Sequence, residues 1–127
     1  MYKRIVVGLS LFGILTILLG ACAIVDTANS ANLPTVHMGG SAFIQTSITI
    51  HKGDSLNLVD DAPSTHIIVN GSWDGATQKP HVENGAPTVN KTYTGNDSGA
   101  VGPFTTAGTF HLYCSVHPGM NLTVTVQ

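Results

Sequence analysis

Past residue 35 the apolar side chains stand two residues apart in short runs, and nowhere at helical spacing. Ile48 and Ile50, Leu56 and Leu58, Ile67 and Val69, then Phe110, Leu112 and Cys114, and last Leu122, Val124 and Val126 make up the series. A period of two sends alternate side chains to one face, so each run predicts a strand with one side on a core and one toward water. Thr and Val within these runs suit a pleated, half-buried surface. No later stretch offers three turns of amphipathic helix, and no internal repeat is visible. Turn residues agree with this: "HKGDS" at 51–55 predicts a hairpin turn, and "DDAPST" at 60–65 predicts a loop before the next strand. Residues 73–88, "WDGATQKPHVENGAPT", have prolines and glycines but little period, and predict a long surface loop or a weakly paired edge. The expected fold is an all-β, Greek-key sandwich of about seven or eight short strands.

The chain's 127 residues suit one such domain. The N-terminus needs a separate account. Lys3 and Arg4 precede an uncharged apolar run at 5–19, the pattern of an export signal and short for a bilayer span of roughly 20 residues. Its end, "LGAC" at 19–22, resembles a bacterial lipobox, which implies cleavage before Cys22 and lipid on its thiol. The competing reading is an uncleaved anchor with Cys22 idle. Either reading exports the domain and leaves it on a membrane, at the outer face of the cytoplasmic membrane or on another envelope membrane. Residues 23–34 are small and polar, without period. The expected organisation is therefore a signal peptide at 1–21, a lipid-anchored flexible tether at 22–34 and a folded domain at 35–127.

Without Lys3 and Arg4 the basic count falls from five to three against seven acidic residues, a formal charge of −4. No basic stripe suited to nucleic acid is present. Of the two cysteines, Cys22 belongs to the tether, so Cys114 has no disulfide partner in its own chain. A lone thiol in an exported domain is expected to be buried, paired between chains or occupied.

The residues after Cys114 bear on that choice. In "FHLYCSVHPGM", residues 110–120, the alternation turns Cys114 inward with Phe110 and Leu112, and turns His111 and Tyr113 away. Taken alone, Cys114 reads as a small core hydrophobe. His117 and Met120 then follow it, with Pro118 and Gly119 between them, and a tight turn brings all three soft donors around one point at small entropic cost. A thiolate with two imidazoles in a trigonal set and a weak axial thioether suits a copper ion that carries single electrons. The second imidazole has to come from elsewhere in the chain.

Here the chain resembles the cupredoxins, the small blue copper proteins that include plastocyanin, amicyanin and pseudoazurin, from about Val36 to Val126. In that family the first histidine follows a loop, as His66 does in "VDDAPSTHIIVNG", and the cysteine loop precedes the last strand, as here before "NLTVTV". The resemblance implies His66, Cys114, His117 and Met120 as ligands of one copper ion, with a short, amicyanin-type C-x-x-H-x-x-M loop. It also exposes a departure. Many relatives have Asn directly after the first histidine to tie the two ligand loops together, whereas this chain has Ile67. The backbone N–H of Ile67 and the side chains of Thr65 and Ser115 are the alternatives, and the sequence does not choose among them.

His37, His51, His81 and His111 fall at no metal-ligand spacing and read as surface residues, with His81 in the long loop the most plausible exception. Trp73 reads as packing rather than an electron relay. The pattern N-x-[ST] at Asn70, Asn90, Asn96 and Asn121 reads as coincidence in a bacterial lipoprotein. No phosphate-binding glycine loop or nucleophile turn is present, so the expectation is a non-enzyme. The leading expectation is a monomeric single-electron carrier between a donor and an acceptor redox protein outside the cytoplasm. The alternative is a copper scavenger or chaperone that holds and transfers Cu(I), because soft Cys and Met donors suit that ion as well.

Overall fold

The computed structural model describes residues 33–127. The signal peptide, Cys22 and all of the tether except Leu33 and Pro34 lie outside the described residues. Those two are already engaged with the domain, since the Pro34 carbonyl accepts the Asn57 N–H at 2.8 Å.

Nine strands follow in order: β1 (Thr35–Met38), β2 (Ser47–Ile50), β3 (Leu56–Asp60), β4 (His66–Asp74), β5 (Thr77–Pro80), β6 (Asn90–Tyr93), β7 (Ser98–Val101), β8 (Gly108–Cys114) and β9 (Asn121–Val126). They form a three-stranded sheet, β1-β3-β7, and a six-stranded sheet, β2-β9-β8-β4-β5, in which β6 also pairs with β4. The expected all-β sandwich is present, with one or two strands more than the sequence pattern suggests. Its inner faces come from the alternation. In β9, Leu122, Val124 and Val126 are buried while Asn121, Thr123 and Thr125 are half-buried. Val36, Met38, Leu56 and Leu58 from one sheet meet Ile68, Phe110, Leu112, Leu122 and Val124 from the other in a single core.

Two details differ from the sequence reading, and one settles an alternative within it. The turn at 51–55 is not a hairpin: β2 pairs in parallel with β9, whereas β3 pairs with β1 and β7 in the other sheet. It is a corner between sheets, because Ile50 and Leu56 both face the core from opposite layers. On β4 the inward residues are His66, Ile68 and Asn70, and Ile67 and Val69 are only half-buried. This strand lies between partners on both edges, and its inward face carries polar His66 and Asn70 while its outward face carries Ile67 and Val69, so alternation points to the wrong face. Finally, the 73–88 segment, expected as a loop or a weakly paired edge, is a paired edge in its first half and irregular after it. Trp73 and Asp74 continue β4 and turn back as β5, with Trp73 opposite Gln78 and Gly71 opposite Pro80. Gly71 has φ +116, and a Cβ there would collide with the Lys79 carbonyl oxygen, so the close approach of the two strands requires glycine.

Candidate metal centre

Two strands of the larger sheet deliver the site. β4 and β8 are antiparallel with Ile68 opposite Cys114, so the start of β4 and the end of β8 share one end of the sandwich. His66 stands two residues before Ile68 on the same inward face, about 6.6 Å further along the strand. Beyond Cys114 the chain forms the β8–β9 hairpin loop. The Cys114 N–H donates to the Met120 carbonyl at 3.0 Å, and the Met120 N–H donates to the His117 carbonyl at 3.2 Å. Gly119 takes φ +78 within this turn, which suits a residue without Cβ. These bonds fold His117 back over Cys114.

The result is a compact donor group. One ligand atom each from His66, Cys114 and His117 lies within 4.8 Å of the others. Cys114 Sγ is 3.5 Å from His117 Nδ1, and the rings of His66 and His117 have centroids 4.8 Å apart. His66, Cys114 and Met120 are buried, while His117 is half-buried beside exposed Val116 and Pro118. His66 Nε2 has polar neighbours behind it, Ser64 Oγ at 3.2 Å and Asp60 Oδ1 at 3.5 Å. His66 Nδ1 is buried without a hydrogen-bond partner. A buried imidazole nitrogen without a partner is costly unless something binds it. Burial holds the His66 imidazole below its usual range. Asp60 pulls it upward, His117 pulls it down again and the Gly39 backbone raises it. His66 is thus biased toward the neutral form that coordinates a metal.

Ser115, rather than a side chain after His66, ties the two ligand segments together. Its N–H donates to the Ile67 carbonyl at 2.9 Å, while its Oγ is more distant at 3.5 Å. Thr65 is exposed. The link is therefore made through backbone, which any residue at position 67 can provide.

The four histidines set aside from the sequence stay outside the group. His37 Nδ1 pairs with Asp61 at 2.7 Å and His111 Nδ1 with Glu83 at 2.7 Å; His51 lies 3.7 Å from Asp54, and His81 is exposed. Asn70 is buried, and its side chain accepts the Val89 N–H and donates to the Pro87 carbonyl, so it serves the loop before β6. The sequence reading took Trp73 for packing, as its edge-on contact with Tyr113 bears out, but missed its hydrogen bonds and those of Gln78 and Asn121. Trp73 Nε1 donates to the Cys114 carbonyl at 2.8 Å, Gln78 Nε2 donates to the Ser115 carbonyl at 3.2 Å, and the Asn121 side chain bonds both the N–H and the carbonyl of Trp73. A lone tryptophan in a stretch read as loop or weakly paired edge gives no sign of these contacts.

One thiolate and two imidazoles, with a buried thioether in the same short loop, form a soft, compact donor set that fits copper. Fold and site together define a β-sandwich protein with a single-ion copper centre. No family model matches the chain. It is 31% identical over 91 residues to plastocyanin from Ulva prolifera, covering 70% of this chain and 90% of that protein. Among solved structures, amicyanin from Paracoccus versutus superposes with a TM-score of 0.59 at 18% identity, over 76% of this chain and 83% of that one. A purple cupredoxin from Nitrosopumilus maritimus superposes with a TM-score of 0.59 at 17% identity, over 74% and 99%. The chain belongs to the cupredoxin family of blue copper proteins, and its cofactor is copper.

Proposed function

We propose that the protein is a single-electron carrier with one type 1 copper ion, which His66, Cys114, His117 and Met120 would hold. Copper supplies the Cu(I)/Cu(II) couple. The observation that supports this reading most directly is the convergence of the three donors, whose ligand atoms lie within 4.8 Å of one another. His66 comes from β4 and Cys114 from β8, both paired strands, so the sandwich itself sets their separation. A site arranged in advance demands little movement when charge changes, and small rearrangement favours rapid electron exchange. Buried His66 and Cys114 keep water away, and half-buried His117 marks the side on which a partner approaches most closely.

A copper scavenger or chaperone benefits from ligands that open to hand the ion on. The fixed spacing of two ligands on paired strands favours the carrier over that reading. Donor and acceptor are redox proteins outside the cytoplasm, and the N-terminal segment with Cys22 holds the chain at a membrane.

Loading the full chain with Cu(II) tests the reading. The expected product is intensely blue, with the narrow copper hyperfine splitting of a thiolate site and reversible voltammetry. A colourless product with ordinary tetragonal copper spectra refutes it. Sluggish redox with ready metal loss to an acceptor points instead to copper handling.

A further inference from the structure

The ligand loop is gripped from outside by the β4–β5 hairpin, and a copper site does not by itself require that grip. Three side chains make it: Trp73 and Gln78 reach from the hairpin to residues that bear or flank a ligand, and Asn121, beside Met120, reaches back to Trp73. The indole N–H of Trp73 donates to the carbonyl of Cys114 at 2.8 Å. Asn121, directly after Met120, accepts the Trp73 N–H at 2.7 Å and donates to the Trp73 carbonyl at 3.1 Å. Gln78 accepts the Tyr113 hydroxyl at 3.1 Å and donates to the Ser115 carbonyl at 3.2 Å. Trp73 also sets its ring edge-on to Tyr113, with centroids 6.0 Å apart and planes at 82°. Residues 113, 114, 115 and 121 are thereby tied to a hairpin whose own close pairing depends on Gly71.

The loop has need of such ties. Val116, Pro118 and Gly119 are exposed, and only two backbone bonds cross the loop, Cys114 to Met120 and Met120 to His117. The Ser115 N–H on the Ile67 carbonyl holds the start of the loop as well, and a short loop fastened so sparsely keeps freedom in the very residues that place the thiolate and thioether. Hydrogen bonds to the carbonyls of Cys114 and Ser115 remove that freedom before any ion arrives, and ordering done in advance need not be repeated on binding. Outer contacts that orient ligands commonly change metal affinity by about 10- to 100-fold when removed.

We propose that the hairpin formed by the end of β4 and β5 is a brace that presets the ligand loop, with Trp73, Gln78 and Asn121 as positioning residues that act on Cys114 and Met120 through the backbone. Trp73 is the centre of the brace: its indole holds one end of the loop and its backbone holds the other. The proposal rests on the copper reading above.

Two substitutions separate the brace from simple packing. Trp73→Phe keeps an aromatic ring and deletes the N–H. Gln78→Glu, at an exposed position, keeps an acceptor for Tyr113 and deletes the donor to Ser115. Each variant of the full chain is loaded with copper beside the wild type, and release of the ion to a chelator is timed. The expected result is release roughly tenfold faster in Trp73→Phe, a smaller acceleration in Gln78→Glu, and a shifted thiolate-to-copper absorption with a changed hyperfine pattern in both. Spectra that superpose on the wild type, with release within about twofold, overturn the brace; should Trp73→Phe not fold, Gln78→Glu decides alone. A wild type that never develops the thiolate-to-copper band defeats the copper reading instead. Metal-free protein gives a separate check: hydrogen exchange at the Ser115 and Met120 amides should quicken in both variants, and unchanged exchange in both again overturns the brace.

Discussion

Cys114 Sγ lies 3.5 Å from His117 Nδ1 although the side chains belong to different parts of the loop, one closing β8 and one in the turn beyond it. The loop's bonds bring them together, and His66 arrives from β4 to complete the group. Each donor in the set has a distinct consequence when changed.

Replacing Cys114 with Ser should abolish the intense visible absorption completely while leaving the fold in place, because the thiolate alone supplies that band and serine is nearly isosteric. Absorption spectroscopy with circular dichroism on copper-loaded protein checks both halves. A blue Cys114→Ser protein would require another sulfur on the ion.

Met120 is buried at the edge of the core, so Met120→Leu changes packing little, by less than about 1.5 kcal/mol. Its effect should appear in the reduction potential. If Met120 is a weak thioether donor, its loss would remove more support from Cu(II) than from Cu(I), and the potential should rise. Met120→Gln, a stronger donor, should lower it. Voltammetry of the three proteins gives the order directly, and identical potentials would take Met120 out of the ligand set.

Acidification should raise the potential of the copper protein. His117 is half-buried whereas His66 is enclosed, so His117 is the imidazole nearer to solvent. Cu(I) accepts fewer ligands than Cu(II), and a proton that displaces it from His117 stabilises the reduced state. A potential that stays flat from neutral to acidic pH counts against this.

Metal-free protein should lose stability as pH falls. Burial keeps the folded-state pKa of His66 below its usual value, so around and below pH 6.5 the unfolded chain binds this proton more readily than the folded one. The contribution of neutral His66 is complete above about pH 6.5 and declines below it. Melting temperatures between pH 8 and pH 5 should fall, and fall less in His66→Phe. Equal slopes in the two proteins would show that another group is responsible.

Gly71→Ala should destabilise the fold by about 1–3 kcal/mol, since it adds a Cβ against the Lys79 carbonyl at a φ that L-residues avoid. Because the strained hairpin is also the brace, copper release should quicken along with the loss in melting temperature. A stable Gly71→Ala protein would mean that the two strands separate there at little cost.

The edges of what the sequence reveals follow physical lines. On β8 and β9 one face is apolar and the other polar, so alternation alone indicated that Cys114 faces inward with Phe110 and Leu112. On β4 the inward face carries His66 and Asn70 beside Ile68, and the inward phase could not be read from the apolar Ile67 and Val69 on the other face. Tyr113 does face away from Cys114, yet it is buried, because the β4–β5 hairpin covers that side. The sequence offered the hairpin only as a weakly paired edge, the alternative to a loop, because Gly75 and Pro80 are also loop residues.

Local chemistry therefore determined the strands, and with them the short loop that holds a thiolate, an imidazole and a thioether, because both depend on spacing between near neighbours. The resemblance singled out His66 among the five other histidines, and the tertiary structure brought it to the loop and decided what steadies that loop. Both follow from the register of β4 against β8 and the return of β5. Pairing between distant segments is chosen by packing and hydrogen bonding over the whole sandwich, so no window of sequence contains it.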